Sequence, residues 1–421
     1  MDLNLIKNTV KKHLTVFKIR LYTLDITSAL INIHSLHYNS KNVTVKNSRI
    51  NHYQRIARRI FIFIIFVESL FTIVAGSGIS IFRKYYPNEL DKMNCVGRIP
   101  LERVFKLVMT TSAIKYCITF CVLFCWWNKQ SKRAFIKLLN ELLRLCRRLT
   151  IHFDIDCSKL PPQCSLLFHL QFLVIIGNLL NNLLLAFTFN DIYSSLRDFF
   201  NGVFYAPIPL MYQTVLLTLC QLHYKANAQL DMYVACDACK NKYIFKFIVF
   251  LSDLKTFQNR FAKAFIWLPR LVAIKTFLIV GECSYLWHYQ NHYNTLADVK
   301  LIWLYTAVAE SLLDIFLMVF MLNELRRLDL QTQHLLYLTV INLHNEMSYR
   351  GRRVALREHG IYLSTPQSKS YTLHLHHFVE QLCYLQVWTI LIPVLCGFML
   401  ACLDPFDMMF IRDLSQFNSI K

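Results

Sequence analysis

Residues 164–189 read CSLLFHLQFLVIIGNLLNNLLLAFTF, a stretch that contains no Asp, Glu, Lys or Arg. A helix of about 20 apolar residues crosses the roughly 30 Å of bilayer hydrocarbon, so this segment reads as a membrane span. Working outward from it, the same reading applies to 60–82, 104–127, 203–223, 267–289, 301–322 and 381–403, seven spans in all. Two are interrupted, by Lys106 and Lys115 in 104–127 and by Arg270 and Lys275 in 267–289. Each such charge disfavours insertion by about 2.5–3.5 kcal/mol near the bilayer centre. Helices are expected rather than a barrel, because the runs lack the alternation of barrel strands.

Composition agrees. Hydrophobic residues make up 55% of the 421, charged residues 17%, and Gly and Pro number only 9 and 10. A soluble protein carries about 25% charged residues, so a soluble enzyme is excluded, as is a disordered chain. Fourteen scattered cysteines form no dense disulfide framework. No catalytic triad order, glycine-rich phosphate loop or pair of catalytic carboxylates stands out, and neither an enzyme nor a cofactor is expected. Cys236-Asp237-Ala238-Cys239 is a lone pair of thiols, and zinc would need a second pair or a His such as His374, His376 or His377.

The net charge of +20 is sorted along the chain. Segments 1–59, 128–163, 224–266 and 323–380 hold 11, 8, 7 and 7 Lys and Arg; the alternate segments 83–100, 190–202, 290–300 and 404–421 hold 4, 1, 1 and 2. Positive residues stay on the cytoplasmic side, which puts the N-terminus inside and, after seven crossings, the C-terminus outside at the plasma membrane. A cationic inner face meets anionic lipid, so nucleic acid is not needed to explain the charge. The first thirty residues hold Lys7, Lys11, Lys12, Lys18 and Arg20 without an apolar core, so no cleavable signal is expected and the first span inserts the chain. The sequon Asn42-Val43-Thr44 then faces the cytosol.

The organisation expected is therefore a cytoplasmic segment 1–59, a seven-helix domain 60–403 with helical inner loops, and a short tail 404–421. In 134–149, Phe135, Leu138, Leu139, Leu142, Leu143 and Leu145 recur at helical spacing opposite Arg144, Arg147 and Arg148. Phe247, Val249, Phe250, Leu254, Phe257 and Phe261 form a second stripe, and Leu325, Leu328, Leu335, Leu338 and Ile341 a third. The absence of proline between Pro209 and Pro269, and from there to Pro366, lets helices run from the fourth and sixth spans into the cytosol. Such stripes pack together below the membrane. The external connections 190–202 and 290–300 are expected to be little more than turns, and 348–370 a flexible insert. Ile6, Val10, Leu14, Phe17 and Leu21 fit either a surface helix or a basic tail.

Three stretches, FIKLLNELLRLCRRL (135–149), FLSDLKTFQNRFAKAF (250–265) and HHFVEQLCYLQVWTILIPVLCGF (376–398), together with the span count and orientation, resemble the insect gustatory receptor family. The family's C-terminal hallmark is Thr-Tyr, five mostly apolar residues and Gln-Phe; here Met409 and Phe410 replace Thr and Tyr, and Gln416-Phe417 falls at the right offset. Arg412-Asp413 breaks the apolar stretch. The resemblance implies detection of small soluble tastants by a subunit of a homo- or hetero-tetrameric, ligand-gated cation channel whose terminal helix lines the pore. The altered hallmark leaves a non-conducting regulatory subunit as an alternative. A metabotropic seven-span receptor or a transporter are rivals, the first needing the opposite orientation and the second usually showing paired repeats.

Ionisable groups inside spans are the residues to watch. Glu310 and Asp314 sit at i, i+4 on one face of the sixth span, with Glu310 roughly 13 Å deep at 1.5 Å per residue. Lys275 and Glu282 lie within the fifth. These groups form either a polar pocket for a small ligand or a structural Lys–carboxylate pair. Tyr285 and Tyr305 are expected to face inward as ligand contacts, whereas Trp126, Trp127, Trp267, Trp287 and Trp303 read as membrane-interface rings. Asn178, Asn181 and Asn182 are expected to hydrogen-bond between helices. Glu68 and Lys115 are placed to pair, and Cys117, Cys121 and Cys125 to pack between helices.

Overall fold

The computed structural model describes residues 36–39, 44–47, 56, 58–67, 101–157, 162–188, 192–235, 241–293, 298–344 and 360. Among these the chain is almost wholly helical. Residues 58–67 form α1, followed by α2 Leu101–Trp127, α3 Lys129–Phe153, α4 Pro162–Thr188 and α5 Ile192–Tyr205. Then come α6 Pro207–Ala235, α7 Asn241–Phe265, α8 Trp267–Tyr293 and α9 Asp298–His344. One antiparallel hairpin precedes them, β1 Leu36–Asn39 and β2 Thr44–Asn47, with Leu36 opposite Asn47 and Tyr38 opposite Val45.

Among the described residues two helices are long and apolar enough to cross a membrane, Asp198–Tyr233 and Tyr305–Thr339. A third candidate is the pair α7 and α8, bent by 51° at a one-residue break. Ile114–Trp127 and Phe168–Leu184 are shorter apolar helices within α2 and α4. The span expected at 381–403, the rest of the one expected at 60–82 and the tail 404–421 lie outside the described residues. So do 348–359, 361–370 and the N-terminal stretch containing Ile6 and Leu21.

The turn expected at 190–202 is instead helical. α5 occupies it and packs back along α4, with Gly202 set against the Leu179 side chain, whose Cδ2 would lie 2.8 Å from a Cβ there. Pro207 does not stop the chain: Ala206 N–H donates to the Gly202 carbonyl at 2.9 Å, and Leu210 N–H to that of Ala206 at 3.4 Å. Proline is tolerated at the first position of a helix, where its missing N–H has no partner to lose. α9 runs 47 residues without a break. At 1.5 Å per residue it is about 70 Å long, more than twice the hydrocarbon thickness, so it continues far past any span.

α3 starts where Asn128 caps it, its side chain accepting from Gln130 N–H at 3.1 Å, and ends at Asp154 in the left-handed region (φ 53°). Asp tolerates that conformation better than most residues. The predicted stripe is buried: Phe135, Leu138, Leu139, Leu142, Leu143 and Leu145 all face inward, against α7. Of the expected α7 stripe, Phe247, Phe250, Leu254, Phe257 and Phe261 are buried; Val249, expected among them, is exposed because its phase falls on the far side. Leu325, Leu328 and Leu335 of α9 are buried as expected.

Ion pairs at the edge of the stripe, Arg148 with Asp253 and Arg260 with Glu141, join α3 to α7. Trp126 differs from the expectation of an interfacial ring. It is 2% exposed, with ring centroids 4.7 Å from Phe135 and 6.3 Å from Phe265, so it belongs to the junction of α2, α3 and α7. Trp127 and Trp267 are half-buried. Of the α2 thiols, Cys117 and Cys125 are half-buried and Cys121 is exposed, so that face packs only in part.

Candidate functional site

Among the described residues the α6–α9 pair is the most extensive helix contact, and α4 and α8 pack on α9 beside it. α4 has two faces at heptad spacing. Leu166, Leu170, Leu173, Leu180 and Leu184 point outward, while Gln171, Ile175 and Asn182 are buried and Asn178 half-buried. An apolar outer stripe suits lipid, and a polar inner stripe requires partners.

Those partners are on α9. Asn178 Nδ2 donates to Glu310 Oε2, and Gln171 Nε2 to Asp314 Oδ1. From α6, Gln213 Nε2 donates to Asp314 Oδ1 at 3.0 Å and to the Asp314 carbonyl at 3.3 Å. Asn181 Nδ2 donates to Thr306 Oγ1 at 3.3 Å. The expected inter-helix role of Asn178 and Asn181 is therefore observed. α8 joins through Thr276, whose hydroxyl donates to the Ser311 carbonyl at 3.2 Å.

Lys275 of α8 completes the cluster in an unexpected way. Its Nζ lies 3.2 Å from the centroid of the Tyr205 ring, a cation–π contact. Glu310 and Asp314 are close enough to interact electrostatically with it, yet among the described residues Lys275 forms no ion pair. The structural Lys–carboxylate pair, the plainer of the two expectations, is thus replaced by an ammonium on an aromatic face. Three buried polar atoms around it have no hydrogen-bond partner among the described residues: Tyr205 Oη, Gln171 Oε1 and Gln213 Oε1. Their residues are 4%, 0% and 0% exposed.

Of the residues singled out in the sequence, Glu310, Asp314 and Lys275 are brought together. Tyr305 is not. It is 55% exposed, on the stripe that continues through Leu312 and Phe316. Nine residues at 100° each turn it half a circle from Asp314. The side chains of Glu282, Tyr285, Trp287 and Trp303 lie outside the described residues, as do Glu68, Cys236, Cys239 and His374, and also Met409, Phe410, Gln416 and Phe417. Tyr205, Gln171 and Gln213 were missed by sequence reasoning. A detectable signal existed for Gln171, which precedes Asn178 by one heptad in an otherwise apolar run.

A second polar centre lies further along the same rods. Lys255 of α7 pairs with Asp329 of α9. Beside it His223 Nδ1 is 3.2 Å from Thr332 Oγ1, and Thr332 donates to Asn227 Oδ1 at 2.6 Å. Between Asp314 and Asp329, α9 buries Ile315, Leu317, Met318, Met321, Leu322, Leu325 and Leu328. The two polar centres are thus about 22 Å apart on one unbroken helix, separated by apolar packing. The sequence matches no protein-family model and no curated protein.

Proposed function

We propose that the chain is a multi-pass receptor of the insect gustatory type, detecting small soluble chemicals as a subunit of a tetrameric ligand-gated cation channel. The observation that carries this reading is the buried cluster of Glu310, Asp314 and Lys275, with open hydrogen-bonding atoms beside it, on the helix that also holds the Lys255–Asp329 pair. Burying such groups in a bilayer is costly, and their retention points to a ligand or ion. A ligand seated there favours one arrangement of α9 against α4, α6 and α8. It opens the channel only by binding the open arrangement more tightly than the closed. The seven-span count, the cytoplasmic N-terminus and the plasma-membrane location belong to the same proposal.

A second reading, a non-conducting regulatory subunit, is favoured by Met409, Phe410 and the Arg412-Asp413 interruption in the tail. Whole-cell recording separates the two. The chain is expressed alone and then with related subunits, and challenged with sugars and bitter compounds. Evoked current that survives G-protein blockade in cells expressing the chain alone supports the channel reading. Current only in combination supports the regulatory one, and a response abolished by the blockade contradicts both.

A further inference from the structure

We infer that the Glu310–Asp314–Lys275 cluster is a binding site for a protonated amine, which enters beside Asp314 as a second cation. This rests on the ligand-site reading above and specifies its chemistry.

Around Lys275 three carboxyl groups, those of Glu310, Asp314 and Asp198, stand against two ammonium groups, its own and that of Lys115. Lys275 already has a partner in the Tyr205 ring, and it makes no ion pair among the described residues. One more cation balances the carboxylates, and burying a balanced set costs less than burying an unpaired charge. The open hydrogen-bonding atoms point to the same ligand. Gln171 and Gln213 both turn their Nε2 groups onto Asp314 Oδ1, which leaves their Oε1 atoms beside that carboxylate with nothing to accept. Tyr205 Oη, within electrostatic reach of Asp314 and Glu310, is also unpartnered.

Amide oxygens only accept, and a hydroxyl can. The vacant positions therefore ask for a group that donates several hydrogen bonds, carries positive charge and accepts none. An ammonium with N–H groups meets all three conditions. An anion meets none and is repelled by the carboxylates. A polyol donates but leaves the charge unbalanced. A quaternary ammonium balances charge but donates nothing to Gln171 and Gln213. The carboxylate–ammonium contact is charge-assisted and is the strong component of binding.

The test is ligand-induced stabilisation of the purified full-length chain in detergent, followed by tryptophan fluorescence on heating. The probes are propylammonium chloride, tetramethylammonium chloride, sodium chloride and 1-propanol at matched millimolar concentrations. Propylammonium is expected to raise the melting temperature where the other three do not. Asp314→Asn is expected to weaken the apparent affinity by about tenfold or more. Tyr205→Phe, which removes only an unpartnered hydroxyl and keeps the ring under Lys275, is expected to weaken it by about threefold, and it carries the test if Asp314→Asn does not fold. Equal stabilisation by sodium, tetramethylammonium or propanol overturns the inference, as does wild-type affinity in both variants. Because this readout needs no current, binding without conduction refutes the channel reading alone, and currents to other compounds without amine binding refute the amine site alone.

Discussion

Lys255 on α7 and Asp329 on α9 form an ion pair whose side chains are 2% and 3% exposed, across 74 residues of sequence. Removing one member leaves the other charge buried without its counter-ion, which costs about 3–5 kcal/mol, whereas replacing both with apolar groups is often neutral. Lys255→Met and Asp329→Leu alone are therefore expected to lower thermal stability in detergent sharply. The double variant is expected to recover most of the loss. Additive losses in the double variant contradict the pairing.

Asn140 of α3 holds the hairpin by two hydrogen bonds to one strand residue. Asn140 Oδ1 accepts from Val45 N–H at 2.8 Å, and Asn140 Nδ2 donates to the Val45 carbonyl at 2.9 Å. Leu36, Tyr38 and Val45 are buried. Asn140→Ala removes both bonds and is expected to cost about 1–3 kcal/mol locally. Limited proteolysis should then cleave between residues 36 and 47 faster than in the wild type, while α3 and α7 stay protected. An unchanged cleavage rate shows that the apolar contacts alone hold the hairpin.

Docking of the hairpin on α3 makes the sequon at Asn42 a reporter of sidedness. With α3 in the cytosol, Asn42 is out of reach of the glycosylation machinery, and glycosidase treatment is expected to leave the gel mobility unchanged. A glycosidase-sensitive band places α3 on the outer side and reverses the proposed orientation.

Cys146 and Cys157, eleven residues apart, are both buried where the chain turns back after α3, and burial pushes both thiols up, Cys157 to about 11. The thiolate is the reactive form. At pH 8 both should therefore resist alkylation by maleimide in the folded protein, Cys157 reacting about a hundredfold more slowly than an ordinary thiol, and both should react once the chain is unfolded. Mass spectrometry of the labelled peptides reads the result, and prompt native labelling contradicts the packing of α3 against 154–157.

Much of the helical frame was legible because it follows from periodicity. The α3 stripe from Phe135 to Leu145 is buried as its spacing requires, and α6 and α9 extend beyond residues 223 and 322 as the lack of proline allows. Charge placement was less legible. Lys255 reads as a solvated lysine on an amphipathic helix until Asp329, 74 residues away, supplies its partner. Nothing local records that pairing. Tyr305 departs from expectation for a different reason: depth along the span brings it near the cluster, but phase turns it away, and the half-turn from Asp314 is implicit in the numbering. The hairpin leaves little trace in the sequence because four-residue strands give too little alternation to stand out.

In the proposed receptor, the Glu310–Asp314–Lys275 cluster is where a chemical signal enters the molecule. The most direct measurement is the dose–response of ligand-evoked whole-cell current in cells expressing wild type, Glu310→Gln or Asp314→Asn, with surface expression matched by labelling. Both variants are expected to reach the surface, and their half-maximal concentrations to rise by about tenfold or more, as loss of a charge-assisted contact implies. Superimposable curves for all three proteins contradict this role of the cluster.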